Sequence, residues 1–175
     1  MYRVERNYTN WFPSGGITYQ MNRKNSFALI YSKRIQRPNY QSLNPFQYRI
    51  DELSFRQGNP FLQPQYTDNV KLSHTYNYRL TTSLSYSFIS DFFAQVTEAV
   101  GDNQNFIIQM NVANQKIINL GVSYPTKFND WWNIYLSINA YRSIYEATNP
   151  DFLALSQNTL SLYAQNTFKL PKGIT

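Results

Sequence analysis

The sequence offers few side chains that could carry catalysis, and they are poorly arranged for it. His74 is the only histidine among the 175 residues, and there is no cysteine. Side-chain alternation puts His74 between Leu72 and Tyr76 on the apolar face of a predicted strand, near its short-turn end, while Ser73 and Ser83 point the other way. A serine–histidine hydrolase is therefore disfavoured, and we predict that the chain is not an enzyme.

Metal and cofactor sites are equally hard to place. Zinc sites need several histidine or cysteine ligands, which this sequence lacks. Asp51, Glu52 and Asp102 are acidic residues of predicted loops that could touch Ca²⁺, but their spacing is not that of an EF-hand. A glycine-rich phosphate loop is also missing. We therefore expect no cofactor and no metal.

The positive charge of the chain does not point to nucleic acid. The formal net charge is +6, yet Arg23-Lys24 and Lys33-Arg34 are the only adjacent basic pairs. Nucleic-acid sites usually concentrate Lys and Arg in a patch or stripe. We expect no nucleic-acid partner.

The elements that position these residues are predicted to be β-strands. Aromatic residues make up 17% of the chain, and 15 Tyr and 12 Phe favour strands over helices. In residues 80–88, LTTSLSYSF, apolar and hydroxyl side chains alternate, with Thr82 the one exception. The apolar members are Leu80, Leu84, Tyr86 and Phe88, and the hydroxyl members are Thr81, Ser83, Ser85 and Ser87. The same period recurs along the chain and predicts roughly seven antiparallel strands and no confident helix.

The predicted connections alternate between two kinds, as in an up-and-down sheet. The short connections are Arg23–Asn25, Asn77–Arg79 and Pro125–Asp130. The long or turn-rich ones are Ile35–Gln65, the Gly101-Asp102-Asn103 region and Thr148–Leu155. All short turns then lie at one edge of the sheet and all long loops at the other, which is typical of outer-membrane barrels.

Strand length and aromatic placement favour the same class. Residues 80–99, 104–124 and 131–147 predict strands long enough to cross a bilayer, which takes about 9–11 residues. Aromatic rings are expected at both ends of the apolar band, where membrane interfaces favour them. They are Tyr76, Tyr78, Tyr124, Trp131 and Trp132 beside the short turns, and Trp11, Phe12, Phe92 and Phe93 towards the long loops.

These features predict an all-β fold: an antiparallel up-and-down transmembrane β-barrel segment with its apolar side chains towards lipid. Roughly seven strands are too few to close, so we expect an open, curved sheet that is part of a larger barrel. Two alternatives remain open. A soluble carbohydrate-binding β-sandwich would pack the apolar faces on one another, and a small structural or adhesive outer-membrane barrel would close within one chain.

The longest connection, residues 36–64, carries a resemblance to a known family. Its segments Arg37-Pro38-Asn39-Tyr40, Leu43-Asn44-Pro45-Phe46 and Gly58-Asn59-Pro60-Phe61-Leu62-Gln63-Pro64 resemble the "RPxY…LNPF…GNPxLxP" signature. That signature belongs to the outer membrane β-barrel family of TonB-dependent receptors. The matching positions are Arg37, Pro38, Tyr40, Leu43, Asn44, Pro45, Phe46, Gly58, Asn59, Pro60, Leu62 and Pro64.

The resemblance implies a part of a larger importer in the outer membrane of a Gram-negative bacterium. The resemblance implies a receptor with a 22-stranded barrel and a plug inside it. Such a receptor imports a siderophore, glycan or peptide. The sequence contains no plug, TonB box, regulatory-like domain or signal, so we expect residues 1–175 to be an internal piece, about one third of such a barrel. The implied partners are outer-membrane lipid, the plug domain, the other barrel strands, TonB through an N-terminal part, and an unidentified solute. Residues 36–64 would form an extracellular loop.

The signature residues also have a physical interpretation. Pro38 is expected to end a strand, Asn44-Pro45 to start a turn, and Gly58 to adopt a positive φ. We therefore favour a structural role for the signature over ligand contact. Residues that could contact a solute or line a polar path are Lys71, Asn77, Gln109, Asn119, Asn133 and Asn139 on the wall, and Arg37, Tyr40, Tyr48, Arg49 and Phe55 in the loop.

Overall fold

A computed structural model describes residues 9–100, 104–150 and 152–169 and contains one β-sheet. Its elements are β1 (Ser14–Gln20), β2 (Asn25–Gln36), α1 (Tyr40–Leu43), β3 (Gln47–Arg49), β4 (Ser54–Gln57), β5 (Gln65–Tyr76), β6 (Leu80–Val100), β7 (Gln104–Asn129), β8 (Trp132–Ala147) and β9 (Leu155–Phe168). Seven long strands follow the order β1-β2-β5-β6-β7-β8-β9, each antiparallel to its neighbours. Among the described strands β1 and β9 do not pair, so the sheet is open and the predicted up-and-down partial barrel is confirmed.

The strand register separates an apolar face from a polar face. Residues that are direct cross-strand partners lie on the same face of a sheet. One such row crosses all seven long strands and consists of Ile17, Leu29, Leu72, Leu84, Leu120, Ala140 and Leu160. The neighbouring row lies on the opposite face and consists of Thr18, Ala28, Ser73, Ser83, Gly121, Asn139 and Ser161. The alternation predicted from residues 80–88 is thus shared by every long strand.

No other layer of the described residues covers the apolar face. Leu84 remains 51% exposed and Leu136 43% exposed, and Leu62 and Ala113 are the buried hydrophobic side chains of the described residues. A soluble domain of this length would bury a large apolar core. The soluble sandwich alternative requires these leucines to meet in a dry interior, and the structure contradicts it.

Among the described residues, no helix is long and apolar enough to span a membrane.

Two of the three predicted short turns are close to their expected positions, and the third is wrong. The β1–β2 and β5–β6 connections are residues 21–24 and 77–79, but β7 continues through Pro125 to Asn129 and turns only at residues 130–131. Pro125 is opposite Tyr135 on β8, whereas the last β6 partner of β7 is Thr81, opposite Ser123. Pro125 thus lies where β7 has one neighbour, and sheets accept proline at such edge positions.

The long connection is more regular than expected. Residues 37–64 contain the helix α1 and the short strands β3 and β4, although the sequence predicts no helix and only loop there. The third predicted long connection is residues 148–154, between β8 and β9. The Gly101-Asp102-Asn103 region lies outside the described residues.

Aromatic side chains cluster at the short-turn end of β7, β8 and β9. The Trp132 ring lies 4.8 Å from Phe128 and 5.8 Å from Phe168, centroid to centroid, and Trp131 lies 6.0 Å from Phe168. At the other end, the expectation that the Phe92 ring borders the apolar band is wrong. Its ring lies 5.6 Å from that of Tyr145, which is on the polar face.

Candidate functional site: the long connection over the β6–β7 hairpin

The connection between β2 and β5 reaches across two neighbouring strands. Residues 37–64 leave β2, which borders β5, and place β4 parallel to β7, from Ser54 opposite Asn105 to Gln57 opposite Ile108. The β8 partner of β7 begins only at Ala113. The connection therefore straddles the part of the β6–β7 hairpin that extends beyond β8.

Helix α1 is a single turn closed at both ends by asparagine. The Asn39 side chain accepts hydrogen bonds from the Ser42 backbone N–H and the Ser42 hydroxyl, both at 2.7 Å. At the other end the Asn44 N–H donates to the Tyr40 carbonyl at 3.1 Å, and the Asn44 side chain accepts from the Phe46 N–H at 3.2 Å. Asn is favoured as an N-cap because its side-chain oxygen satisfies an otherwise unpaired N–H.

The second half of the signature packs directly against this turn. The Gly58 N–H donates to the Asn44 carbonyl at 3.0 Å, and the Asn59 N–H donates to the Ser42 carbonyl at 2.6 Å. A Cβ atom on Gly58 would lie 2.3 Å from the Asn44 oxygen and 2.7 Å from the Gln41 oxygen. The expected positive φ at Gly58 is wrong, since its φ lies outside the left-handed range. Glycine is required there by close backbone packing instead.

The segment after Gly58 is attached to β7. The Asn59 side-chain amide donates to the Gln109 carbonyl at 3.2 Å. The Gln63 N–H donates to the Asn111 side-chain oxygen at 2.8 Å, and the Asn111 amide donates back to the Gln63 carbonyl at 3.1 Å. Between these attachments Leu62 is fully buried at 0% exposure.

The structure brings some signature residues together and leaves others at the surface. Gly58 hydrogen-bonds to Asn44, and Leu62 hydrogen-bonds to Asn59, which also contacts β7. Pro64 is buried. Pro38 lies two residues after the end of β2. The side chains of Tyr40, Pro45 and Phe46 are exposed, and Leu43, Pro60 and Arg37 lie along the same connection.

A tight turn joins β3 to β4, and the Asp51 carboxylate accepts the hydrogen bonds that hold it. The Asp51 carboxylate accepts hydrogen bonds from the Leu53 N–H at 2.9 Å and the Ser54 N–H at 2.7 Å. These bonds, led by that from Leu53 and assisted by the Arg49 charge, lower the pKa of Asp51 below its ordinary value of 3.8. Asp51 is thus engaged in turn formation, and the described residues contain no cluster of three or more metal-ligating side chains. Asp102 lies outside the described residues.

A polar cavity of about 140 Å³ lies between this connection and the hairpin. Most of the residues that line it carry amide side chains, and one is an arginine: Asn39, Gln41, Ser42, Arg56, Gln57, Gln95 and Gln109, with Ile107 and Ile108. Amides both donate and accept hydrogen bonds, so the cavity suits a ligand rich in hydroxyl, amide or carboxylate groups.

Sequence reasoning found only part of this cavity. Gln109 was among the expected polar wall residues, but Arg56 and Gln95 were not singled out, because β4 and β6 meet there only through pairing with β7. Of the loop residues expected near a solute, Tyr40 is 80% exposed, and Phe55 stacks on Phe106 at 5.5 Å. Neither lines the cavity.

The wall residues expected on one face are mostly found there. Lys71 is opposite Ser85, which is opposite Asn119, and Asn139 is on the same polar face. Asn77 is the exception, since it forms the β5–β6 turn with a φ of 51°. His74 lies on the apolar face, where its ring stacks on Phe27 at 4.6 Å and its Nε2 is 2.9 Å from the Asn25 side-chain oxygen.

A single-layer sheet of long antiparallel strands, with an uncovered apolar face and a hydroxyl- and amide-rich face, defines a wall segment of an outer-membrane β-barrel. The match of a family model to residues 2–175 agrees, and the chain belongs to the outer membrane protein β-barrel family. Its location is accordingly the outer membrane of a Gram-negative bacterium.

Solved structures of similar fold are larger receptors. The chain resembles the siderophore receptor PirA from Pseudomonas aeruginosa with a TM-score of 0.61 and 13% identity over 90% of this chain and 35% of that one. It resembles the ferric enterobactin receptor PfeA, in complex with BCV-L6, with a TM-score of 0.55 and 15% identity over 86% of this chain and 28% of that one. The chain thus spans about a third of their length. None of the curated proteins matches the sequence.

Proposed function

We propose that this chain is part of a TonB-dependent outer-membrane receptor that imports a siderophore, glycan or peptide. The observation that supports this most strongly is the open sheet with an uncovered apolar face. Within the described residues, β1 pairs only with β2 and β9 only with β8. Strand edges in hydrocarbon must be paired, because each unsatisfied backbone group costs several kcal/mol. Further barrel strands would complete both edges, and a plug and a TonB-binding segment complete the receptor.

A strain lacking the gene tests the import function. Uptake of labelled ferric siderophores, oligosaccharides and peptides is measured in the parent strain, in the deletion strain and after TonB depletion. We expect that uptake of one of these solutes is lost in both altered strains and is restored by the intact gene. If all three classes enter the deletion strain at the parental rate, or if uptake persists without TonB, the proposal is wrong.

We further propose that residues 1–175 form one partial barrel domain, and that the connection 36–64 is extracellular and holds its shape through the signature residues. The solute would contact the polar cavity rather than the signature itself. Support comes from the Asn44–Gly58 and Asn59–Gln109 hydrogen bonds, which join signature residues to the scaffold, and from the amide lining of the cavity.

Replacing one lining amide distinguishes contact from scaffolding. Gln109→Leu keeps the side-chain size and the backbone acceptor for Asn59 but removes the amide from the cavity. We expect roughly three- to tenfold weaker solute binding by the full receptor, as for loss of one or two hydrogen bonds. The matched control is Gln157→Leu, on β9 and outside the cavity. Equal affinities for the two variants would contradict a role for the cavity.

A further inference from the structure

On the apolar face, polar and charged side chains appear towards the long connections. Leu120, Ala140 and Leu160 form part of the row that crosses all seven long strands. The next row on that face, towards the long connections, contains Ile118, Arg142 and Asn158. On β8 and β9 this row changes to Arg142 and Asn158, on the side that we propose to be extracellular, whereas it stays apolar at Tyr86 on β6 and Ile118 on β7.

The cations of the next row on this face, one step closer to the long connections, are neutralised within the protein. Lys33 is 3.6 Å from the Asp68 carboxylate, and Lys116 forms an ion pair with Glu146. Arg142 has no carboxylate partner among the described residues. A guanidinium next to hydrocarbon is costly unless it reaches an anion or the headgroup region. An anion from outside the described residues would therefore stabilise the Arg142 guanidinium at this position.

A groove runs from Arg142 along the apolar face. The small Ala140 side chain lies between Leu120 and Leu160, and this gap forms a groove of about 510 Å³. Ile118 contributes to one wall, and Arg142 and Asn158 lie at the mouth. A groove with an apolar floor and a cationic mouth matches an amphiphile with an acyl chain and an anionic headgroup.

We propose that this groove binds one phosphate-bearing lipid of the outer leaflet. The acyl chain lies over Ala140 between Leu120 and Leu160, the Arg142 guanidinium holds the phosphate, and the Asn158 amide is a second donor. Guanidinium groups bind phosphate through two parallel hydrogen bonds, which lysine cannot reproduce. Free inorganic phosphate could contact Arg142 but would not fill the apolar groove, so a lipid fits the site better. The proposal depends on the orientation given under the proposed function.

Lipid retention by the full-length protein tests this site. The purified protein is incubated in detergent with diphosphoryl lipid A, and bound lipid is counted by native mass spectrometry. We expect Arg142→Gln to retain lipid A at least about tenfold less well than the parent protein, because a charge-assisted bidentate contact is lost. Ala140→Phe, which fills the groove, should lower retention similarly, whereas Arg79→Gln at the short-turn end should leave it unchanged.

Several outcomes would overturn the site. Equal retention by the parent protein and Arg142→Gln would do so, as would equal retention of dephosphorylated lipid A. A mass of two protein copies that Arg142→Gln dissociates would make a second copy the occupant. If Arg142→Gln fails to fold, Arg142→Lys replaces it and should retain an intermediate amount; parental retention by that variant counts against the site. Solute uptake is a separate readout, so the import proposal and this one fail independently.

Discussion

At the scale of single residues, Gly58 is the position where the backbone leaves no room for a side chain. We expect Gly58→Ala to destabilise the connection by about 1–3 kcal/mol, because the new Cβ meets carbonyl oxygens that cannot rotate away. Trypsin cleavage at Arg56 in the folded protein measures this, and cleavage should become faster. The control is Gly15→Ala, where a Cβ meets nothing within 4 Å. Equal cleavage rates at Arg56 in both variants would contradict the packing role of Gly58.

Tyr78 gives a second residue-scale prediction. It follows Asn77 in the β5–β6 turn, and both have positive φ values, 51° for Asn77 and 57° for Tyr78. Asn tolerates this region, whereas a tyrosine there is strained. We expect Tyr78→Gly to be about 1 kcal/mol more stable than Tyr78→Ala, since both lose the ring but only glycine loses the Cβ strain. Urea unfolding of the two variants in detergent measures the difference; equal midpoints would mean that the turn is unstrained.

At the scale of elements, the β3–β4 turn should respond to acid through Asp51. Its pKa is lowered in the folded turn, so the carboxylate stabilises the turn above the ordinary value of 3.8, and this contribution disappears as pH falls through the lowered pKa. We expect the protection factors of the Leu53 and Ser54 amides against hydrogen exchange to be constant at neutral pH and to fall at strongly acidic pH. Asp51→Asn keeps an acceptor without titrating, and its protection should not change with pH. A parent protein whose protection is equally flat would show that the carboxylate does not hold the turn.

Elements also show what the sequence predicts and where prediction stops. The alternation in residues 80–88 is enough to predict which side chains share a face. This works because each long strand has one lipid-facing and one polar side along most of its length. Phe92 was misassigned because the β6–β7 register shifts between Ile89 and Phe93, with Asp91 at a φ of 54°, and this irregularity has no local signature. The arrangement of the connection depends on Gln109 and Asn111, about 50 residues away in sequence, so alternation could not reveal it.

At the scale of the whole molecule, the two faces of the sheet should tolerate charge very differently. Ser83 and Leu84 are neighbours in β6, and their cross-strand partners place Ser83 on the polar face and Leu84 in the leucine row. Leu84→Arg puts a charge into the apolar band and should cost about 2–4 kcal/mol if that row lies near the bilayer midplane. Ser83→Arg places the same charge at the same height towards the aqueous side, and we expect it to cost much less.

Assembly in the outer membrane measures this pair. The full-length protein carrying each substitution is expressed, and its folded fraction is read from heat-modifiable migration in gels, with urea unfolding in detergent-free bilayers for the energy difference. Both variants add the same side chain to the same strand, so strand propensity and protein charge are matched. Only the solvent that each face meets differs. If Ser83→Arg were the more damaging change, the hydroxyl face would be the one packed against a dry surface, and the outward-facing leucine row would no longer account for the fold.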